Sequence, residues 1–257
     1  MAEIKHDFDL LEMPVEGVAA YWLSLKKLVG NKRNFKRIHE EAQHTSEEYI
    51  RYLLETGFGN FSEETKRKMA NAKAQTMLSA MERKFDCMRI AVLDVATVEN
   101  PHRSVAKIYA NFPQPPVQGD KAIRYAQELL RLMPDKYKGR ERFFDVGYKV
   151  PDDKLIVALL FYVFYARHQG KDVCQSLLPL ISSAYFRDAL SMVIDGFDVP
   201  FVRKWLKKHK EVLLRDLEYK CTMSTELCMG IASRMDYEDL HSMARAYLPS
   251  NGGAQGA

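Results

Sequence analysis

The chain has 257 residues, of which 47% are hydrophobic and 28% are charged, and its formal net charge at pH 7 is +4. This composition supports a folded core and excludes a wholly disordered chain. The positive charge is too small to require nucleic acid as a partner, and no apolar run reaches the roughly 20 residues of a membrane-spanning helix. The charged, acidic start shows no signal peptide, so we expect a cytoplasmic protein.

In chain order, the apolar residues of the first half recur at spacings of three and four, which is typical of amphipathic helices. Pro14 opens the first helix and Gly30 ends it. Thr45 and Glu48 match a capping box for a later helix, and Ser62 is the expected cap of a long one. No segment alternates over a strand's length, so we predict an all-α bundle of about ten helices.

A segment rich in proline, NFPQPPVQGD at 111–120, interrupts this pattern. Such a sequence favours extended backbone. We therefore predict an N-terminal helical domain at 1–112, a linker at 113–120, a C-terminal helical domain at 121–249 and a disordered tail at 250–257. We expect Asp120 to cap the helix that follows the linker. The apolar run Leu155–Ala166 is too short to span a membrane and predicts a central core helix.

The rest of the chain is organised around its longest predicted helix. Gly196 ends one helix and Asp198 caps the next, which continues without glycine or proline from Phe201 to Met229. One face of this helix is apolar: Val202, Leu206, Leu213, Leu217, Cys221 and Cys228. The opposite face is charged, and Glu211 and Arg215 have the spacing of an i,i+4 ion pair.

We find no motif that carries chemistry. The chain has no phosphate-binding glycine loop, no dinucleotide fingerprint and no nucleophile elbow. His39 and His44 would point about 140° apart on a helix, and Cys221 and Cys228 would lie about two turns apart. We therefore predict no catalytic residue, no metal site and no cofactor. An enzyme without a recognised motif is kept as the third hypothesis, after the two that are given below.

Between about 158 and 232, three groups of residues follow a known pattern. Ala166, Arg167 and Gly170 form an Ala-Arg-x-x-Gly turn after a helix. The second group is Phe186, Leu190, Val193, Asp195, Gly196 and Asp198, and the third is Arg203, Leu206, Glu211, Leu214 and Glu218. In order and spacing these residues resemble the cytoplasmic region of the flagellar stator A subunit (MotA) family.

In that family an arginine in the first turn and a following glutamate face the switch ring of the rotor. Arg167 matches the arginine, whereas Gln175 stands near the glutamate position. The membrane spans and proton-path residues of the family have no counterpart in the sequence. The resemblance thus implies a bacterial motility protein that is not an enzyme and has no stable membrane span. Such a protein would make protein contacts at the flagellar motor or in its regulation.

From the resemblance and the charged helix face we predict six partner-binding residues: Arg167, Lys204, Lys207, Lys208, Glu211 and Arg215. The expected partner is a protein, for instance a rotor or stator component, and a homo-oligomer is also compatible with the sequence. The second hypothesis is an all-α nucleic-acid-binding protein. It rests on basic residues near aromatic ones in three segments, at 32–37, 66–68 and 136–144.

Overall fold

The computed structural model describes residues 9–30, 35–133 and 139–249. Over these ranges the chain forms ten α-helices and two 3-10 segments and contains no strand, so the predicted all-α fold is confirmed. The helices are α1 Val15–Val29, α2 Phe35–His44, α3 Glu48–Gly57, α4 Glu63–Ala96, α5 Pro101–Tyr109, α6 Gly119–Arg131, α7 Asp152–Gln169, α8 Ala184–Ile194, α9 Val199–Ala232 and α10 Tyr237–Tyr247. Within the described ranges, none of them combines the length and apolarity needed to cross a membrane.

The chain divides into two compact units. The first consists of Met1–Leu78 together with Leu213–Ala257, and the second is Ser79–Val212. Residues of α4 and of α9 therefore belong to both units. The segment 113–120, for which the sequence predicts a linker, lies within the second unit. The predicted tail at 250–257 lies outside the described residues.

Several helix ends follow the signals in the sequence. The Ser62 hydroxyl accepts a hydrogen bond from the Thr65 amide at 3.2 Å, and the Asp198 carboxylate accepts one from the Phe201 amide at 3.4 Å. Both bonds satisfy amides that a first helical turn leaves without a partner. Gly196, directly after α8, has a φ of 85°, a conformation that glycine adopts at little cost.

Two predicted caps are wrong. The Thr45 hydroxyl accepts a hydrogen bond from the Glu47 amide at 3.3 Å, and Glu47 itself occupies the N-cap position of α3. Thr45 thus forms a local turn two residues before the N-cap instead of a capping box. The helix α6 starts two residues earlier than expected, with Gln118 at its N-cap. Asp120 lies in the first turn, where the helix dipole favours a carboxylate.

The core of the first unit combines apolar packing with a few satisfied polar groups. Trp22 and Tyr49 are fully buried. The Tyr49 hydroxyl lies 2.8 Å from the hydroxyl of Thr225. Lys220 is also buried, and its ammonium group donates to the carbonyl of Leu10 at 3.1 Å. A buried polar group needs such a partner, so these bonds favour one arrangement of the unit.

The core of the second unit is built around α7. Every residue of Leu155–Ala166 is buried except Val157, which confirms the predicted core helix. The Tyr162 hydroxyl donates to the carbonyl of Phe144 at 2.9 Å, so this buried tyrosine has a partner. Gly170 follows the helix with a φ of 90°.

Candidate functional site

The turn between α8 and α9 places two phenylalanines in solvent. Phe197 lies between the terminating Gly196 and the capping Asp198, and 50% of its surface is exposed. Its ring stacks on that of Phe201, with centroids 5.5 Å apart, and Phe201 is 45% exposed. Large apolar side chains that are left together on a surface are a common mark of an interaction site.

Lysines continue this surface along the first turns of α9. Lys204, Lys207 and Lys208 are all exposed. Within the described ranges Lys204 and Lys207 make no hydrogen bond or ion pair, whereas Lys208 donates to Glu211 at 3.2 Å. At 100° per residue these side chains and Phe201 lie within an arc of about 120°. We define the corner surface as the set of six residues Phe197, Phe201, Lys204, Lys207, Lys208 and Glu211.

Two neighbouring cations are not part of the corner surface. Lys210 donates to both carboxylate oxygens of Asp86 at 3.0 Å, so its charge serves packing within the second unit. Arg215 is exposed, as predicted. Among the described residues, however, Glu211 pairs with Lys208 and not with Arg215 as the sequence suggested. An i,i+3 pair is an equally available geometry on a helix surface, which explains the difference.

Arg167, the remaining predicted contact residue, is exposed at the end of α7. Its guanidinium donates to the carbonyl of Val98 at 3.1 Å. Val98 follows the end of α4 and has a φ of 52°, which is strained for a β-branched residue. The structure therefore gives Arg167 a local role, holding the end of α4, and the hydrogen bond does not bring it to the corner surface.

A histidine lies on another face of α9. The ring of His209 is 4.6 Å from that of Trp205 and 5.6 Å from that of Tyr185, centroid to centroid. Its Nδ1 is buried and has no hydrogen-bond partner among the described residues. Burial lowers the pKa of His209, and the nearby carboxylate of Asp188 opposes that shift. Protonation of this ring would add a charge where solvent is partly excluded.

The basic segments of the nucleic-acid hypothesis are only partly described. Residues 32–34 and 136–138 lie outside the described ranges. In the segment at 66–68, Arg67 pairs with both Glu63 and Glu226, and Lys68 pairs with Glu64 at 2.6 Å. Two of its three cations therefore already face carboxylates. This segment gives the nucleic-acid hypothesis no added support.

The cysteines show no sign of reactivity. Cys87, Cys174, Cys221 and Cys228 are all buried and free. Burial raises the pKa of each thiol to about 12, so the nucleophilic thiolate is scarce at neutral pH. Over the described part of the chain, no group of three or more His, Cys, Asp or Glu side chains could hold a metal ion.

Sequence reasoning found the lysines of the corner surface but missed its phenylalanines. A signal for Phe197 was present, because a residue between a terminating glycine and an N-cap tends to face solvent. Comparison with protein families, curated proteins and solved structures finds no match for the chain. The resemblance to the stator family therefore stays a prediction.

Proposed function

We propose that the protein acts without catalysis, by binding another protein through the corner surface. The observation that carries this proposal is the exposed, stacked pair Phe197 and Phe201, continuous with three exposed lysines. Aromatic rings provide most of the binding energy at many interfaces because they bury a large area with few rotatable bonds.

The charges of the corner surface indicate the chemistry of its partner. Lys204 and Lys207 have no partner within the described ranges, and only Lys208 is paired, with Glu211. We therefore expect an acidic protein with an apolar pocket for the two rings, since complementary charge orients a partner and speeds its association. An anionic membrane surface would also attract lysine and phenylalanine side chains, and it is the main alternative outcome.

Photo-cross-linking in cells tests this proposal. We would place a benzophenone amino acid at Phe197, and at Leu28 as a matched control, because Leu28 is 56% exposed and belongs to the other unit. The proposal predicts one dominant cross-linked protein from position 197. That protein should be absent from the cross-linked products of position 28. Cross-links to lipid, or the same diffuse products from both positions, would contradict it.

The resemblance to the stator family supports a place for this contact at the flagellar motor. A deletion strain, scored for swimming in soft agar and for flagella by electron microscopy, tests that place. Flagella that are present but do not turn would support a role at the motor. Missing flagella would indicate assembly or regulation instead, and normal swimming would remove the motor from the proposal.

A further inference from the structure

The second unit contains a cavity of about 670 Å³, bordered by α6, by the N-terminal part of α7 and by residues between 140 and 150. Sites for small molecules usually measure roughly 300–1,000 Å³. Leu129, Leu132 and Val157 contribute apolar surface to this α6–α7 groove. Two aromatic residues of its lining, Tyr125 and Phe143, remain 44% and 43% exposed.

One wall of the groove is held in place by a half-buried lysine. The ammonium group of Lys84 donates to the carbonyls of Tyr148 and Val150 at 2.6 and 2.7 Å and lies 3.6 Å from the carboxylate of Asp152. Val150 itself lines the groove. Because three acceptors hold this segment, the groove exists before any ligand arrives, which reduces the entropy lost on binding.

Three cations border the groove without a use in the fold. Within the described residues, Arg140, Arg142 and Lys154 make no hydrogen bond or ion pair, although the guanidinium of Arg142 lies 5.0 Å from the ring centroid of Phe143. All three side chains are exposed, so water solvates their charges in the free protein. These three are therefore available to an anionic group of a ligand.

Three carboxylates also border the groove, and two of them have a structural role. Asp145 accepts a hydrogen bond from the Ser182 amide at 2.8 Å. Asp153 lies in the first turn of α7, where the helix dipole favours negative charge. Glu128 has neither role. The three carboxylates balance the three cations of the lining, so an anionic group is expected only beside Arg140 and Arg142, which lie two residues apart.

We propose that the α6–α7 groove binds an anionic amphiphile, a single alkyl chain with a carboxylate or monophosphate head. The chain lies against the apolar wall formed by α6 and α7. The head lies between Arg140 and Arg142, because guanidinium groups bind both kinds of oxyanion in the same forked geometry. This site is separate from the corner surface and does not rest on the proposed protein contact.

Isothermal titration of the full chain tests the site with defined probes: dodecanoate, dodecyl phosphate, and dodecyltrimethylammonium as the cationic control. Both anions should bind, and the one with the lower Kd indicates which head group the groove prefers. Decanoate should bind up to about fifteenfold more weakly than dodecanoate, the factor implied by ~0.8 kcal/mol per buried methylene. A cation that binds as tightly as the anions would overturn the proposal, as would the absence of binding.

Two charge variants locate the site. The double variant Arg140→Gln, Arg142→Gln should raise the Kd for dodecanoate at least tenfold. Arg131→Gln is the matched control, because Arg131 is exposed on α6 but does not line the groove. Circular dichroism confirms that each variant is folded. Equal affinities of the double variant and the wild type would contradict the assignment.

Discussion

Phe201→Ala is the sharpest perturbation of the corner surface, and its effect can be estimated from the structure. A phenylalanine offers ~200 Å² of apolar surface when it is fully buried. Phe201 is 45% exposed, so ~90 Å² remains for a partner. At about 25 cal/mol per Å² this area contributes about 2 kcal/mol, or about thirtyfold in Kd.

The same substitution also removes area that is already buried in the protein. Loss of this buried area should lower the free energy of unfolding by at most about 3 kcal/mol. For a chain this long, a loss of that size lowers the melting temperature by up to about 10 °C. Alanine is a good helix former, so α9 itself should persist. Binding measured near 20 °C therefore compares two folded proteins.

The assay is the fluorescence anisotropy of the labelled, purified partner that cross-links at Phe197, titrated with each variant. Leu28→Ala is the control, since Leu28 is 56% exposed but lies in the first unit. We expect Phe201→Ala to raise Kd about thirtyfold and Leu28→Ala to leave it unchanged. A rise below threefold, or equal effects of the two variants, would refute the argument.

Three further predictions concern stability. A methyl group added at Gly57 would lie 2.7 Å from the sulfur of Cys228, so Gly57→Ala should lower the free energy of unfolding by about 1–3 kcal/mol. Cys228→Ala in the same chain should recover at least half of that loss in urea melts. Burial lowers the pKa of His209 in the folded protein, so the unfolded chain binds more protons at mildly acidic pH. The free energy of unfolding should therefore fall as the pH drops below the ordinary histidine pKa of about 6.5. This fall should be smaller in the variant His209→Gln. Arg167→Glu should cost about 1–2 kcal/mol, because it removes the bond to Val98 and places a negative charge at the C-terminal end of α4.

Each of these three has an outcome that contradicts it. If the losses from Gly57→Ala and Cys228→Ala simply add, the two positions do not clash. A His209→Gln variant whose melting temperature varies with pH like that of the wild type would show that this ring is not the group involved. For Arg167, the conservative Arg167→Lys is the control, and an unchanged melting temperature in Arg167→Glu would show that the bond to Val98 contributes nothing.

The sequence predicted those features that depend on neighbouring residues. The run Leu155–Ala166 is apolar on all sides and is the buried centre of α7. The stop at Gly196 and the start at Asp198 are local signals, and both are where the sequence placed them. Where several polar residues compete for one helix start, as around Thr45, the sequence alone did not choose correctly.

Features that depend on distant parts of the chain were harder to predict. The first unit joins Met1–Leu78 with Leu213–Ala257, and no local pattern indicates which distant segments pack together. The exposure of Phe201 is of the same kind, because most phenylalanines are buried and only the folded chain shows which face is left uncovered. The α6–α7 groove likewise depends on how two helices meet.

The most direct test of the central claim replaces the chromosomal gene with one encoding the corner variant Phe197→Ala, Phe201→Ala, Lys204→Glu. Its phenotype is then compared with that of the deletion strain, with soft-agar swimming as the first assay and the amount of protein measured by immunoblot. If the protein acts through the corner surface, the variant at normal abundance should reproduce the deletion phenotype. A strain indistinguishable from the wild type, when the deletion strain is not, would contradict the account.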